Sequence, residues 1–172
     1  MKLARVLFVA LPLLLLGLLL GGCGPARSEG FAIYLLKDSV PPTRLAALSH
    51  VEIADQPLIA ASDIISYEQD THTITLTAAA CTRVRELKVP TSGLSFAVCV
   101  DKAPVYSGAF WTPISSQSFD GVTIMQPAPN SEDNTITISL AYPSVGFFAS
   151  SQPDPRGDSR VMDALRAAGK LK

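Results

Sequence analysis

The sequence contains two histidines and three cysteines, and the side chains of these residue types often act as general bases, metal ligands or nucleophiles. Neither His50 nor His72 has a second histidine or a cysteine at the short spacing that zinc sites use. The stretch PTSGLS at 90–95 has the composition of a serine-nucleophile motif without its Gly-x-Ser-x-Gly spacing. Phosphate-loop and dinucleotide-binding motifs are also missing. We therefore expect no enzymatic activity, no cofactor and no bound metal, and we interpret both histidines as polar surface or strand residues.

Two of the cysteines, Cys81 and Cys99, fall in a predicted helix and in the strand that follows it. An exported domain allows thiols to oxidise, and a disulfide closing this short loop would add about 3 kcal/mol on the chain-entropy model. The bond requires Cys99 to face the helix. If Phe96 and Val98 face the helix instead, strand alternation turns Cys99 away from it. The sequence leaves both alternatives open, a disulfide or two buried free thiols.

The third cysteine, Cys23, follows an apolar run that starts at Val6, behind Lys2 and Arg5. This layout is typical of a secretion signal, and the run is shorter than the roughly 20 residues that a membrane-spanning helix needs. Its end, Leu20-Gly21-Gly22-Cys23, resembles the lipobox of bacterial lipoprotein precursors. The resemblance implies cleavage before Cys23, a diacylglycerol on its sulfur, and usually a further acyl chain on its new amino group. The alternatives are an ordinary signal peptide with an unmodified cysteine, or an uncleaved anchor helix.

Cleavage there would divide the chain into a signal peptide at 1–22, a lipid-anchored tether at 23–30 and a single folded domain at 31–172. The loss of two cations makes the mature chain more acidic than the net charge of −1 of the whole sequence. An acidic chain without a basic patch gives no expectation of nucleic-acid binding. We expect the domain to lie outside the cytoplasm, held by lipid at the outer membrane or at the outer face of the cytoplasmic membrane.

Hydrophobic periodicity predicts a domain of mixed secondary structure. Alternating or continuous apolar runs predict strands at 31–36, 65–69, 72–77, 96–100, 104–111, 122–125 and 135–140. Helical spacing predicts a helix after the N-cap Thr77 and a last helix capped by Ser159 and closed by Gly169, with a short helix at 43–48. Because strands and helices do not alternate regularly, we expect an α+β domain with a largely antiparallel sheet and helices packed on one face.

Residues 74–124 carry an ordered set of structural motifs. A strand ends at Leu76-Thr77, a helix leads to Gly93, an apolar strand ends at Asp101, and a second strand precedes Pro113-Ile114 and Gly121. This order resembles the head subdomain in the first periplasmic region of the SecD/SecDF protein-export membrane proteins. The resemblance implies the same fold and a role in contacting polypeptides outside the membrane. It does not imply proton-driven motor activity, because those proteins use many transmembrane helices and this chain has none to match.

Two aromatic clusters are candidate partner contacts. Phe110 and Trp111 stand just before Pro113, and Phe147 and Phe148 lie in a stretch rich in glycine and serine. Exposed aromatic side chains on loops are good anchors for a partner, so one hypothesis is that one of these clusters forms a contact surface. The alternative is that they fill the core, as aromatic residues do in most folds.

The tetrapeptide Arg-Gly-Asp-Ser at 156–159 matches a short cell-adhesion motif. Asp158 and Ser159 also suit the start of the last helix, where an acid meets the positive end of the helix dipole and a hydroxyl caps free amides. We favour the helix-start interpretation, because so short a match recurs by chance.

Three classes of function follow, in the order in which we favour them. The first is a non-catalytic lipoprotein that binds exported polypeptides or an envelope protein, which predicts an exposed apolar patch or an open sheet edge. The second is an envelope lipoprotein that binds a small molecule or a glycan, which predicts an enclosed pocket with convergent polar groups. The third is a hydrolase, which predicts a cluster of perturbed acids and bases.

Overall fold

The computed structural model describes residues 29–38, 40–47, 50–144, 146 and 153–172. Its strands are β1 Phe31–Leu35, β2 Ile59–Ala60, β3 Ile64–Glu68, β4 Thr73–Leu76, β5 Leu94–Val100, β6 Ala103–Trp111, β7 Phe119–Met125 and β8 Thr135–Tyr142. The α-helices are α1 Ala78–Arg85 and α2 Ser159–Ala167, and short 3₁₀ helices span Pro42–Ala47, Ala61–Asp63 and Pro155–Gly157.

The eight strands form one sheet in the order β2-β1-β5-β6-β7-β8-β4-β3. Every neighbouring pair is antiparallel except β6 and β7, which are parallel. The expected α+β domain with a largely antiparallel sheet is therefore confirmed at this level. The hairpins that create the antiparallel pairs come from local signals: Asp101 and Lys102, with φ of 51° and 65°, form the left-handed turn between β5 and β6.

The sheet curls until its two ends meet. β2 and β3 stand at opposite ends of the strand order, yet only the three residues Ala61–Asp63 join them along the chain. The rings of Phe31 on β1 and Tyr67 on β3 accordingly lie edge to face, with centroids 6.5 Å apart. The outer edge of β3 is covered by the C-terminus, where Lys172 N–H donates to the Tyr67 carbonyl at 2.9 Å.

The curled sheet encloses the main hydrophobic core on its inner face. Both helices contribute to this core, α1 through Ala80, Cys81 and Val84, and α2 through Val161, Met162 and Leu165. The outer face of β1 and β5 is covered by Val51 and Ile53, and the outer face of β6 by Leu45 of the Pro42–Ala47 helix. β1 and β5 are thus buried on both faces, as the continuous apolar run at 31–36 predicts.

The helix ends show one confirmed cap and one correction. Thr77 is the N-cap of α1, and its side chain accepts a hydrogen bond from Ala80 N–H. The N-cap of α2 is Asp158 rather than Ser159, because the carboxylate accepts from Arg160 N–H while Ser159 is already the first helical residue. Among the described residues, no helix is both long enough and apolar enough to span a bilayer.

Candidate functional site

The parallel strands β6 and β7 separate at one end of their pairing. They pair from Gly108 and Val122 to Trp111 and Met125, but β6 begins five residues earlier, at Ala103. In the part of the chain that the structure describes, no strand pairs with residues 103–107 on the β7 side. We call this divergence the fork, and residues 103–107 its open edge.

Two glycines explain why the strands can meet closely at one point and separate beyond it. A Cβ on Gly108 would lie 2.5 Å from the Val122 carbonyl oxygen, so only glycine fits where the fork closes. On the other strand, the Phe119 ring folds over Gly121, where a Cβ would lie 2.4 Å from the ring. The pairing of β7 with β8 also shifts its register between Phe119 and Val122, at the point where β7 separates from β6.

Two adjoining grooves follow the open edge on the outer face of the sheet. One groove of about 410 Å³ runs between Ser107 and the 118–121 segment, and another of about 340 Å³ runs between Ser107 and His50. Leu45 and Ser107 line both of them, so we treat the two as one surface, the fork groove.

The fork groove has an apolar base and a polar margin. Leu45 and Phe119 are buried in its base, whereas Ser118 and Asp120 are exposed beside it. An edge strand offers backbone groups to another chain, and an apolar groove beside the strand offers space for alternate side chains. Pro104 has no backbone N–H to donate, and proline within a sheet is typical of edge strands.

The structure corrects the expectation for Phe110 and Trp111. Both side chains are fully buried in β6, Phe110 in the inner core and Trp111 on the outer face. Trp111 stacks on Phe119 with ring centroids 5.5 Å apart and also packs against Tyr142. These residues fill the core, the alternative stated above, because strand alternation directs one to each covered face.

Three of the predicted site residues lie outside the described residues. They are Cys23, the expected lipid attachment point, and Phe147 and Phe148 of the second aromatic cluster.

The structure also decides between the two alternatives for Cys81 and Cys99. Both are buried free thiols, Cys81 in the inner core and Cys99 on the outer face of β5. The disulfide does not form because Phe96 and Val98 face the core that contains α1, which turns Cys99 away. Burial raises the pKa of the Cys99 thiol to about 11.

His72 belongs to a polar cluster at the start of β4. Its Nδ1 shares a hydrogen bond of 2.9 Å with the buried Tyr67 hydroxyl. Burial is the main cause that lowers the pKa of His72, and the Arg156 guanidinium lowers it further. Arg156 is itself held by two groups. It donates to both carboxylate oxygens of Asp154 and, through Nη1, to the Ile138 carbonyl at 2.8 Å.

Tyr106, on the open edge, belongs to the same neighbourhood. Burial is the main cause that raises the pKa of its hydroxyl, and the nearby Tyr67 and Arg156 also affect it. The hydroxyl has no hydrogen-bond partner among the described residues. The Tyr67–His72 hydrogen bond lies within the β3–β4 hairpin, and the hydrogen bond from Arg156 to Ile138 joins the Pro155–Gly157 helix to β8.

His50 is exposed and lines the fork groove, so the two histidines lie in separate places. The described residues contain no group of three or more His, Cys, Asp and Glu side chains placed to hold a metal ion. In the Arg156–Ser159 tetrapeptide, Arg156 pairs with Asp154 and Asp158 caps α2. These contacts agree with the helix-start interpretation of the motif.

The fork does not follow from the hydrophobic pattern of the sequence. Its signal was present in Gly108 and Gly121, because a glycine inside a predicted strand often marks a bend or a close backbone approach.

Comparison of the chain with family models, with curated proteins and with solved structures finds no match.

Proposed function

We propose that this chain is a lipid-anchored extracytoplasmic protein that binds extended polypeptide segments at the fork. Cys23 carries the lipid in this proposal, and the partner is an exported polypeptide or an exposed segment of an envelope protein. We also propose that residues 74–124 share the fold of the SecD/SecDF head, which they resemble in sequence. The protein acts by binding, without a chemical step.

The observation that supports this function best is the open edge at 103–107. An unpaired strand edge is a template for a strand of another chain, and main-chain hydrogen bonds give such binding its affinity. The other long edge of the sheet is protected, since the C-terminal residues cover β3. The fork thus offers pairing at one place, with Leu45 and Phe119 supplying apolar contact beside it.

The test uses the lipidated chain in detergent micelles and a permanently unfolded probe, reduced and carboxymethylated α-lactalbumin with a fluorescent label. We expect the probe to bind and folded α-lactalbumin not to bind, because only an extended chain can add to an edge. Ser107→Lys places a charge at the fork and should weaken probe binding by about tenfold or more, roughly 1.4 kcal/mol. Fluorescence anisotropy measures both affinities.

Thr82→Lys is the matched control, because Thr82 is exposed on α1, away from the fork. It should bind the probe like the unmodified protein. Equal binding by both variants would place the polypeptide site elsewhere on the surface. Binding of envelope glycan fragments, with no binding of the unfolded probe, would support the second class of function instead.

A further inference from the structure

The point where the tether joins the domain is held by a set of polar contacts. Gly30 N–H donates to Asp101 Oδ1 at 2.8 Å, and Asp101 N–H donates to the Gly30 carbonyl at 3.0 Å. The Glu29 carboxylate accepts from the Tyr34 hydroxyl at 2.6 Å and pairs with Lys102 at 3.1 Å. The chain therefore enters the domain at the β5–β6 turn.

The length of the tether limits how far this turn can lie from a lipid on Cys23. Five residues lie between Cys23 and Glu29, so six residue steps join them, and a fully extended chain of that length reaches about 20 Å. Whatever its conformation, the tether keeps the β5–β6 turn within about that distance of the attached glycerol. The turn end of the domain is then held close to the bilayer.

The fork opens at this same end. Its open edge begins at Ala103, directly after Lys102 of the turn, and its last residue, Ser107, is about 13 Å further along the strand. The closed end of the fork at Trp111 is about 27 Å from Ala103. Ile114, an exposed apolar residue that follows β6, lies beyond that far end.

We infer that the fork faces the bilayer and captures an extended segment of another membrane protein, next to its transmembrane helix, at the membrane surface. This inference rests on the proposed lipidation and polypeptide binding, and it adds the location of the partner. A fork on a freely diffusing domain would meet any unfolded polypeptide equally. A fork held within a few tens of ångströms of the bilayer meets segments close to the membrane at a high effective concentration.

The experiment places a photo-activated cross-linking residue at Ser107 in the lipidated chain in native membranes. A second version has the same residue at Ile114, and a third has the Ser107 cross-linker and a proline-rich spacer of about 20 residues between Ser28 and Glu29. The spacer extends by about 60 Å and moves the fork away from the bilayer. We expect adducts to membrane-inserted polypeptides from Ser107, few from Ile114, and a several-fold lower yield with the spacer.

Equal yields with and without the spacer would overturn the inferred location while leaving polypeptide binding intact. A low yield from Ser107 in membranes, combined with no binding of the unfolded probe in micelles, would overturn the proposed function itself. Binding of that probe by the spacer version should match the original tether, which shows that the spacer leaves the fork folded. Higher yield from Ile114 than from Ser107 would show that the opposite end of the domain faces the partner.

Discussion

The contact between Tyr67 and His72 is the clearest example of a residue whose environment changes its chemistry. His72 sits at a turn position with φ of 52°, and its ring also lies edge to face with Tyr67, with centroids 6.1 Å apart. Burial lowers the pKa of His72, and raises the pKa of Tyr67 to about 12. Both side chains are therefore neutral around pH 7, which suits their place inside the molecule.

His72 should make the protein sensitive to mild acid. Because its pKa is lower in the folded state than the ordinary value of 6.5, its contribution to stability is present above about pH 6.5 and is lost as the pH falls through the folded-state pKa. His72→Asn, which tolerates a positive φ, should reduce the loss of unfolding free energy between about pH 7.5 and pH 5. Urea denaturation at several pH values measures this loss.

The control for this prediction is His50→Asn, because His50 is exposed and the variant keeps His72. It should show the pH dependence of the unmodified protein. Asp154 is the nearby acid, and the Arg156 hydrogen bond lowers its pKa, so its own effect appears only in stronger acid. An unchanged pH slope in His72→Asn would contradict the role given to His72.

At the scale of elements, α2 depends on its first turn. Asp158 accepts from Arg160 N–H at 2.9 Å and also pairs with the Arg160 guanidinium. The Arg160 hydrogen bond lowers the pKa of Asp158, which keeps the carboxylate charged beside the positive end of the helix. Val161 and Leu165 then enter the inner core one helical turn apart.

Replacing the cap of α2 should destabilise the whole domain. Asp158→Ala leaves helix amides without a partner and should lower the unfolding free energy by about 1 kcal/mol. Asp163→Ala is the matched control, since Asp163 forms only an exposed ion pair with Arg166 and should cost less than about 0.5 kcal/mol. The two denaturation midpoints in urea compare them. Equal midpoints would mean that the Asp158 cap does not contribute to stability.

At the scale of the whole molecule, three apolar clusters lie on the two faces of one sheet. The inner core is enclosed by the curl, while two smaller clusters lie under the segment between β1 and β2. Gly93 shows how tightly the outer face is packed, since a Cβ there would overlap the Trp111 ring. A reagent can reach both layers together only when the sheet itself opens.

The two buried cysteines make this arrangement measurable. Neither Cys81 nor Cys99 should react with a thiol reagent in the folded protein, and both should react in denaturant without prior reduction. Spectrophotometric thiol titration counts them, and treatment with reductant beforehand should leave the count unchanged. A count of zero in denaturant that rises after reduction would show a disulfide and contradict the separate faces.

The sequence by itself was enough for the elements that depend on neighbouring residues. The hairpin around Asp70 and Thr71, the Thr77 cap and the β5–β6 turn are all present, because turn conformation and capping are decided within a few residues. The mixed composition of the domain followed from the same local signals.

Only the tertiary structure decided which faces are covered, where the sheet closes and where it stays open. Trp111 is buried because Leu45, far away in sequence, covers the outer face of β6. Cys99 is turned from α1 because β5 presents Phe96 to the inner core. The fork exists because β6 continues past the point where Gly108 lets β7 approach. Each of these depends on contacts between distant segments, and alternation alone gives no information about which segment covers a given face.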